Sequence, residues 1–278
     1  MSSRTALLPA ASQRGLVLAV GLALCGAVAE AQTLGPLITD RPDQTESASA
    51  VRPGFAQLEL GWTLSQHEDG GVTVRSHAVP QALARIGVAR RLEARLGFSG
   101  WQRMQTRDAG DTRSVAGVGD LDVGFKYMLA RGVGLRPGIA LLAGLTLPTG
   151  QEGFATPRVD PVLLLAAAHE LTERVGVGYN VGPSWSSEIV QGGDEETLVD
   201  LSYSVALGLS LHDRVGAFVE SFGSFALSTG SASRHSLDGG FTLLVRDNLQ
   251  LDVSSGLTLT GGVDSWFVGA GVALRVPR

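Results

Sequence analysis

Charged and amide side chains recur in this sequence at alternate positions of stretches that are otherwise apolar or rich in glycine. Successive side chains of a β-strand point to opposite sides, so these residues would share one face of each strand. If these side chains line a pore, they would determine which solutes pass through it, as rings of charge do in known pores. Paired across strands, they would instead fill the interior with salt bridges, and both interpretations stay open. The candidates are Glu59, Arg75, Arg85, Glu93, Arg95, Asp120, Asp122, Lys126, Asn180, Asp238, Asp252 and Arg275. Glu220 is not assigned a side, because Phe218 and Phe222 share its face.

A second set of charges lies in residues 39–49, a polar stretch without periodicity that reads TDRPDQTESAS. It contains Asp40, Arg41, Asp43 and Glu46. One hypothesis is that the stretch folds into the interior as a plug or latch and pairs there with inward arginines. The alternative is a mobile leader. No metal site is expected, because the oxygen ligands are too few and the glycine of a calcium loop is missing.

Nucleophilic catalysis finds little support in the sequence. The single cysteine, Cys25, lies in the N-terminal region predicted to be removed as a signal peptide. None of the histidines (His67, His77, His169, His212 and His235) accompanies a G-x-S-x-G motif. We therefore predict no catalytic residue, no enzyme activity and no cofactor. An outer-membrane lipid hydrolase, which would need an oriented Ser–His pair, is kept as an alternative function.

The elements that position these side chains are strands. Residues 121–129 place leucine, valine and aromatic side chains on one face and Asp122, Gly124 and Lys126 on the other, and residues 139–147 repeat the alternation. About twelve such stretches follow from residue 54 onward. The facing of residues 160–170 and 215–225 cannot be assigned from the pattern.

The connections between these stretches alternate in length. Turns such as ARR (89–91), LTER (171–174), HDR (212–214) and RDN (246–248) are short, whereas the other connections, including residues 105–117 and 184–196, are longer and polar. Outer-membrane barrels have short periplasmic turns and longer extracellular loops. The faces opposite the apolar rows carry glycine and serine with few charges, unlike a water-exposed surface. These features favour an all-β fold, an antiparallel up-and-down transmembrane β-barrel of about twelve strands, over a soluble β-sandwich or lipocalin-like barrel.

The N-terminus has the layout of a secretory signal peptide. Arg4 and Arg14 precede an apolar run, and Ala29-Glu30-Ala31 offers a cleavage site. The predicted organisation is a signal peptide (1–31), a polar N-terminal segment (32–53) and the barrel (54–278), located in the outer membrane after export.

Composition narrows the class of partner. Without residues 1–31 the chain has 20 basic and 26 acidic residues, a net charge of −6, which argues against nucleic acid as a partner. Mean hydropathy is +0.17, yet no mature stretch reaches the roughly 20 apolar residues of a membrane helix. Apolar side chains at alternate positions of strands explain both the positive mean hydropathy and the lack of a membrane helix. The expected partner around these side chains is outer-membrane lipid.

Several stretches resemble a known bacterial family. TDRPDQTES (39–47), VGDLDVGFKY (118–127), LTLPTG (145–150) and residues 160–182 are similar to the outer-membrane family of phenol meta-pathway transporter proteins. The resemblance implies a barrel that transports small, hydrophobic or aromatic compounds, and it does not identify the solute. A closed structural barrel is the further alternative. The chain ends in RVPR without the terminal aromatic that assists the barrel assembly machinery, its expected partner.

Overall fold

The computed structural model describes residues 37–134, 136–189, 193–229, 232–260 and 264–278. The predicted signal peptide and its cleavage site lie outside these residues. Within the described ranges, the chain contains no helix with the length and apolarity needed to cross a membrane. The regular elements of the described residues are fourteen strands: β1 (Phe55–Asp69), β2 (Val72–Ala89), β3 (Leu92–Phe98), β4 (Trp101–Asp108), β5 (Asp111–Val118), β6 (Leu121–Ala130), β7 (Gly138–Leu147), β8 (Asp160–Glu170), β9 (Val175–Ile189), β10 (Glu195–His212), β11 (Val215–Ala226), β12 (Arg234–Arg246), β13 (Leu249–Thr258) and β14 (Asp264–Pro277).

The strands close into a barrel because β1 pairs antiparallel with both β2 and β14. β3 and β4 pair with successive parts of β2, and β6 and β5 continue the ladder beside them. The fourteen strands therefore form twelve rows, which confirms the predicted twelve-stranded antiparallel barrel. Closure leaves no strand edge in the spanning part, where an unpaired backbone group in lipid costs several kcal/mol.

One predicted loop is a β-hairpin. Residues 105–117 fall largely within β4 and β5, which pair from Trp101↔Val118 to Asp108↔Asp111 and turn at Ala109 and Gly110. Gly110 has φ +96°, a conformation that side chains disfavour. The prediction failed because the strand is polar on both faces where it leaves the membrane. Residues 184–196 are likewise mostly strand in their described part.

The two faces of the wall divide as the alternation predicts. The row Leu121, Val123, Phe125, Tyr127 and Leu129 on β6 is exposed on the outside of the barrel. The strands that the sequence left unassigned follow the same rule. On β8, Leu163 and Leu165 are exposed while Ala166 is fully buried, and on β11, Val219 is exposed while Glu220 is buried. The core of this molecule is consequently a polar lumen with some apolar patches.

Candidate functional site: the lumen and residues 37–54

Residues 37–54, here called the lumenal segment, run inside the barrel and bond to its wall at many points. Their backbone donors and acceptors meet buried side chains of the strands rather than strand backbone. The amide of Asp40 donates to Glu59 at 3.1 and 3.2 Å, and the amide of Val51 donates to Glu93 at 2.8 Å. Arg85 donates to the carbonyls of Ile38 and Ser49. The wall side chains thus satisfy backbone groups that carry no secondary structure.

Asp40 is the centre of the largest ion-pair network. Its carboxylate lies 2.6 Å from Arg95, 2.8 Å from Lys126 and 3.1 Å from Arg85, and these side chains come from three different strands. Arg85 also pairs with Glu59 and Glu93 on either side of it. Arg85, Lys126, Glu59 and Glu93 have at most 1% of their surface exposed. A charge so deeply buried is tolerated because it is paired and hydrogen-bonded.

The surroundings of the segment shift the pKa values of two of its carboxyl groups in opposite directions. Burial would raise the pKa of Asp40, but the adjacent Arg85, Lys126 and Arg95 hold it well below its ordinary value. Burial and repulsion from Asp40 raise the pKa of Glu46 to about 7, against the attraction of Arg95 and Lys126. Asp40 is therefore a fixed anion, while Glu46 titrates near neutrality.

The far side of the lumen holds the middle of the segment by hydrogen bonds. The Thr45 hydroxyl donates to Ser204 at 2.7 Å and also contacts Glu220, which accepts the amide of Gln44 at 2.7 Å. The amide side chain of Asn180 accepts from the backbone of Glu46 at 2.6 Å and donates to it at 3.0 Å. The segment is thereby bonded to opposite walls of the barrel.

Arg41 occupies a seat made by two paired glycines. Gly61 of β1 lies opposite Gly271 of β14, and a Cβ on either would come within 2.6 Å of the Arg41 guanidinium. There Arg41 reaches Asp252 at 3.5 Å and the carbonyl of Ala270 at 3.4 Å. These glycines are needed for space, since neither has a positive φ.

Of the predicted lumen residues, the structure brings Glu59, Arg85, Glu93, Arg95, Lys126, Asn180 and Asp252 into contact with the lumenal segment. Asp120 and Asp122 face inward near the other end. Asp120 accepts the amides of Thr149, Gly150 and Thr156 of the β7–β8 loop, and Asp122 accepts from Thr146. Arg275 lies at the rim beside the β12–β13 turn, where it donates to the carbonyl of Asp247.

The prediction that Arg75 lines the lumen is wrong. The register shifts where Trp62 faces Val79 and Pro80, so β2 has one extra residue there. This bulge turns the side chains before it over to the other face. Arg75 pairs with Gln66 on the outward face of β1, is exposed, and donates to Gln66 at 2.9 Å.

Three carboxyl groups meet without a cation beside β11 and β12. Glu220 and Asp238 are opposite each other in the ladder, and Asp43 of the segment lies next to them. Both Asp238 carboxylate oxygens are buried without a hydrogen-bond partner. Burial and the Glu220 charge raise the pKa of Asp43 well above its ordinary value. Among the described residues no group of acidic, histidine or cysteine side chains is arranged to hold a metal ion.

Sequence reasoning missed several residues that hold the segment. Glu220 was left without a side, and Thr45, Ser204, Gln57 and Gln250 were not singled out, although each bonds within this site. Alternation along β1, β10, β11 and β13 could have indicated the inward facing of the four wall residues, whereas Thr45 lies on no strand. Alternation could not have indicated contacts to a segment 159 or more residues away in the chain, such as Thr45 to Ser204.

Open space remains on both sides of the segment. The end of the barrel with the short turns is the one that carries the turns at 89–91, 171–174, 212–214 and 246–248. It has a cavity of about 1050 Å³ lined by Ala48, Met128, Ala168, Gly208 and Phe218 among others. Toward the other end lie spaces of about 390 Å³, beside Leu83, Leu142 and Leu164, and about 300 Å³, beside Leu164 and Phe222. The lumen thus has one open space on one side of the segment and two on the other, here called its chambers, and their walls are partly apolar.

A closed twelve-stranded barrel with an apolar outer surface and a charged interior defines an outer-membrane β-barrel protein. The comparisons with known proteins identify its family. The chain belongs to the family described as "Putative MetA-pathway of phenol degradation", whose model matches residues 39–276. The matched range includes nearly all of the lumenal segment and of the barrel. The comparison with curated protein sequences gives no significant match.

Solved structures share the fold at low sequence identity. The COG4313 outer membrane channel from Pseudomonas putida F1 is 14% identical with a TM-score of 0.64, over 84% of this chain and 100% of that one. The NanC porin is 6% identical with a TM-score of 0.52, over 77% and 98%. The translocator domain of the autotransporter NalP from Neisseria meningitidis is 12% identical with a TM-score of 0.53, over 81% and 89%. Channels and translocators share this architecture, so the fold by itself does not decide between them.

Proposed function

We propose that this protein is an outer-membrane channel for small, hydrophobic or aromatic compounds, with the lumenal segment as its plug. The observation that carries the proposal is that a segment bonded to both walls lies between open chambers on its two sides. A barrel that served only as a scaffold would gain nothing from chambers of several hundred Å³, because filled interiors are the more stable arrangement.

The lining of the chambers supports the solute class. Leu83, Leu142 and Leu164 face inward above the ion-pair network, and Phe218 and Phe222 face inward from β11. Such walls offer apolar contact to a small ring, while the charges nearby remain paired with the segment. Membership of a family described by phenol degradation agrees with this class. The proposal assigns no catalytic role: His169 and His235 hydrogen-bond to Tyr179 and Tyr203, at 3.1 and 3.0 Å.

A reversible tether tests the plug directly. The Thr45 and Ser204 hydroxyl oxygens are 2.7 Å apart, so cysteines in their place would bring two sulfurs near bonding distance. The predicted mature chain has no other cysteine. We expect the oxidised Thr45→Cys/Ser204→Cys protein to show little current in planar bilayers and to regain the wild-type current after reduction. The single variant Thr45→Cys is the control, and it should not respond to oxidant.

Two outcomes would contradict the proposal. A current unchanged by the closed disulfide would show that the segment does not gate the lumen. No current from wild type, from the reduced variant or from a chain lacking residues 37–53 would favour a closed structural barrel instead. Uptake of a small aromatic solute into vesicles containing the protein, compared with an aliphatic sugar of similar size, tests the solute class separately.

A further inference from the structure

Arginines crowd one end of the barrel. The end with the short turns carries nine exposed arginines and four exposed acidic residues among the described residues. The arginines are Arg52, Arg90, Arg91, Arg131, Arg136, Arg174, Arg214, Arg246 and Arg278, and the acidic residues are Glu170, Glu173, Asp213 and Asp247. Short turns mark the periplasmic end of such barrels.

The opposite end has the reverse balance. Its exposed acidic residues are Glu68, Asp69, Asp108, Asp111, Glu152, Glu188, Asp194, Glu195 and Glu196, against Arg75, Arg103, Arg107, Arg113, Arg158 and Arg234, counted over the described part of the chain. The arginine excess is therefore a property of one rim rather than of the whole surface, and the overall charge of the chain is negative. A positive rim on an acidic protein points to an anionic partner at that rim.

Part of this rim forms a groove that faces the membrane. The groove has a volume of about 660 Å³ and is lined by Ala89, Arg90, Arg91, Leu92, Tyr127 and Arg131. Leu92 and Tyr127 are paired across β3 and β6, and Tyr127 belongs to the outward row of β6. The apolar floor of the groove is thus continuous with the lipid-facing surface of the barrel.

The guanidinium groups of the groove are not neutralised by the protein. Within the described ranges no acidic side chain forms an ion pair with Arg90, Arg91 or Arg131. Three unpaired arginines from two neighbouring turns, set above an apolar wall, match a phosphate carried on an acyl chain. Arginine binds phosphate through two parallel hydrogen bonds, and tyrosine favours the headgroup region of a bilayer.

We propose that this groove binds an anionic phospholipid of the inner leaflet. The guanidinium groups of Arg91 and Arg131 hold the phosphate, and the acyl chains descend over Leu92 and Tyr127 toward the exposed Phe125. A free phosphate would use the arginines and leave the apolar floor bare, and an acidic protein would have no access to a floor that lies in the bilayer. The lipid is the occupant that uses both parts of the groove.

Native mass spectrometry of the full-length barrel, released from a neutral detergent, tests the site. The probes are phosphatidylglycerol, phosphatidylcholine with the same acyl chains, and inorganic phosphate. We expect phosphatidylglycerol to remain bound preferentially, and Arg91→Gln/Arg131→Gln to weaken its binding about tenfold or more. The matched control Arg174→Gln/Arg246→Gln removes two exposed arginines of the same rim that lie outside the groove.

Three results would overturn the proposal. They are equal retention of the two phospholipids, equal loss of phosphatidylglycerol in the groove and control pairs, and displacement of the lipid by millimolar inorganic phosphate. Should the groove variant fail to fold, Tyr127→Ser, which shortens the apolar floor and keeps every arginine, is expected to weaken the lipid and leave the weak binding of inorganic phosphate unchanged. Channel conductance does not enter this test, so the lipid site and the proposed transport function stand or fall separately.

Discussion

At the scale of single residues, Asp40 and Glu46 have different roles although they lie six positions apart in one segment. Asp40 meets three cations and stays ionised at any physiological pH. Removing one partner of such a buried pair costs about 3–5 kcal/mol, so Asp40 is the strongest single anchor of the segment. Glu46 pairs with Arg95 and Lys126 and is repelled by Asp40. Glu46 is therefore the carboxyl group of the two that gains or loses a proton near neutral pH.

Glu46 makes the docking of the segment dependent on pH. Its pKa is raised from 4.5 to about 7, so the docked state is favoured fully below pH 4.5 and loses stability as pH rises through about 7. We expect a larger mean current in planar bilayers at pH 8 than at pH 5. In Glu46→Gln this difference should shrink, because glutamine has no proton to lose. Glu188→Gln, at an exposed position of β9, is the control that should keep the wild-type profile.

Asp43 contributes in the same direction, because its pKa is also raised. The double variant Asp43→Asn/Glu46→Gln is therefore expected to show a smaller change of current with pH than Glu46→Gln alone. Wild-type and Glu46→Gln proteins with superimposable pH profiles would show that Glu46 has no part in docking.

At the scale of elements, the glycine pair of β1 and β14 links the wall to the segment. A methyl group on Gly61 would collide with the flexible end of Arg41, and one on Gly271 would collide with Arg41 and with the Asp252 carboxylate. Neither meets backbone at these distances, so the barrel itself should tolerate both. We expect Gly61→Ala and Gly271→Ala to unfold at the wild-type temperature and to conduct more often, since Arg41 loses its seat beside Asp252. Single-channel recording and heat-dependent gel mobility measure the two properties. Gly208→Ala, at a position where the nearest atom is 3.9 Å away, is the lumenal control. A conductance rise in the control as large as in Gly61→Ala would show that the rise does not depend on the position of Arg41.

The elements also show what the sequence could and could not predict. Alternation gave the number of rows and the facing of most strands, because one face is apolar wherever a strand crosses lipid. It failed at residues 105–117, where β4 and β5 leave the membrane and no apolar face is required. It failed for Arg75 too, because a one-residue bulge in β2 reverses the facing of the side chains before it. The charges of residues 39–49 suggested inward arginines as partners, but the choice of Arg85 and Arg95 depends on distances that no local pattern contains.

At the scale of the whole molecule, the exposed apolar side chains face two different environments, lipid and water. Val253, in the middle of β13, is 52% exposed, and Val115, on the β4–β5 hairpin, is 49% exposed. The barrel architecture places lipid around the first and water around the second. The twelve rows of strands and the polar hairpin beyond them together predict where the boundary between lipid and water lies on the outer surface.

An arginine at each of these two valines tests that boundary. An arginine near the bilayer midplane of a barrel costs about 2–4 kcal/mol, and one outside the membrane costs about 0–1 kcal/mol. We therefore expect Val253→Arg to lower the free energy of unfolding in phospholipid vesicles by about 2 kcal/mol or more, and Val115→Arg to leave it nearly unchanged. Denaturant titrations followed by tryptophan fluorescence measure both variants under one set of conditions. Equal losses in the two variants would place the hairpin in the membrane as well, and two unaffected variants would remove the lipid-facing surface on which the outer-membrane assignment depends.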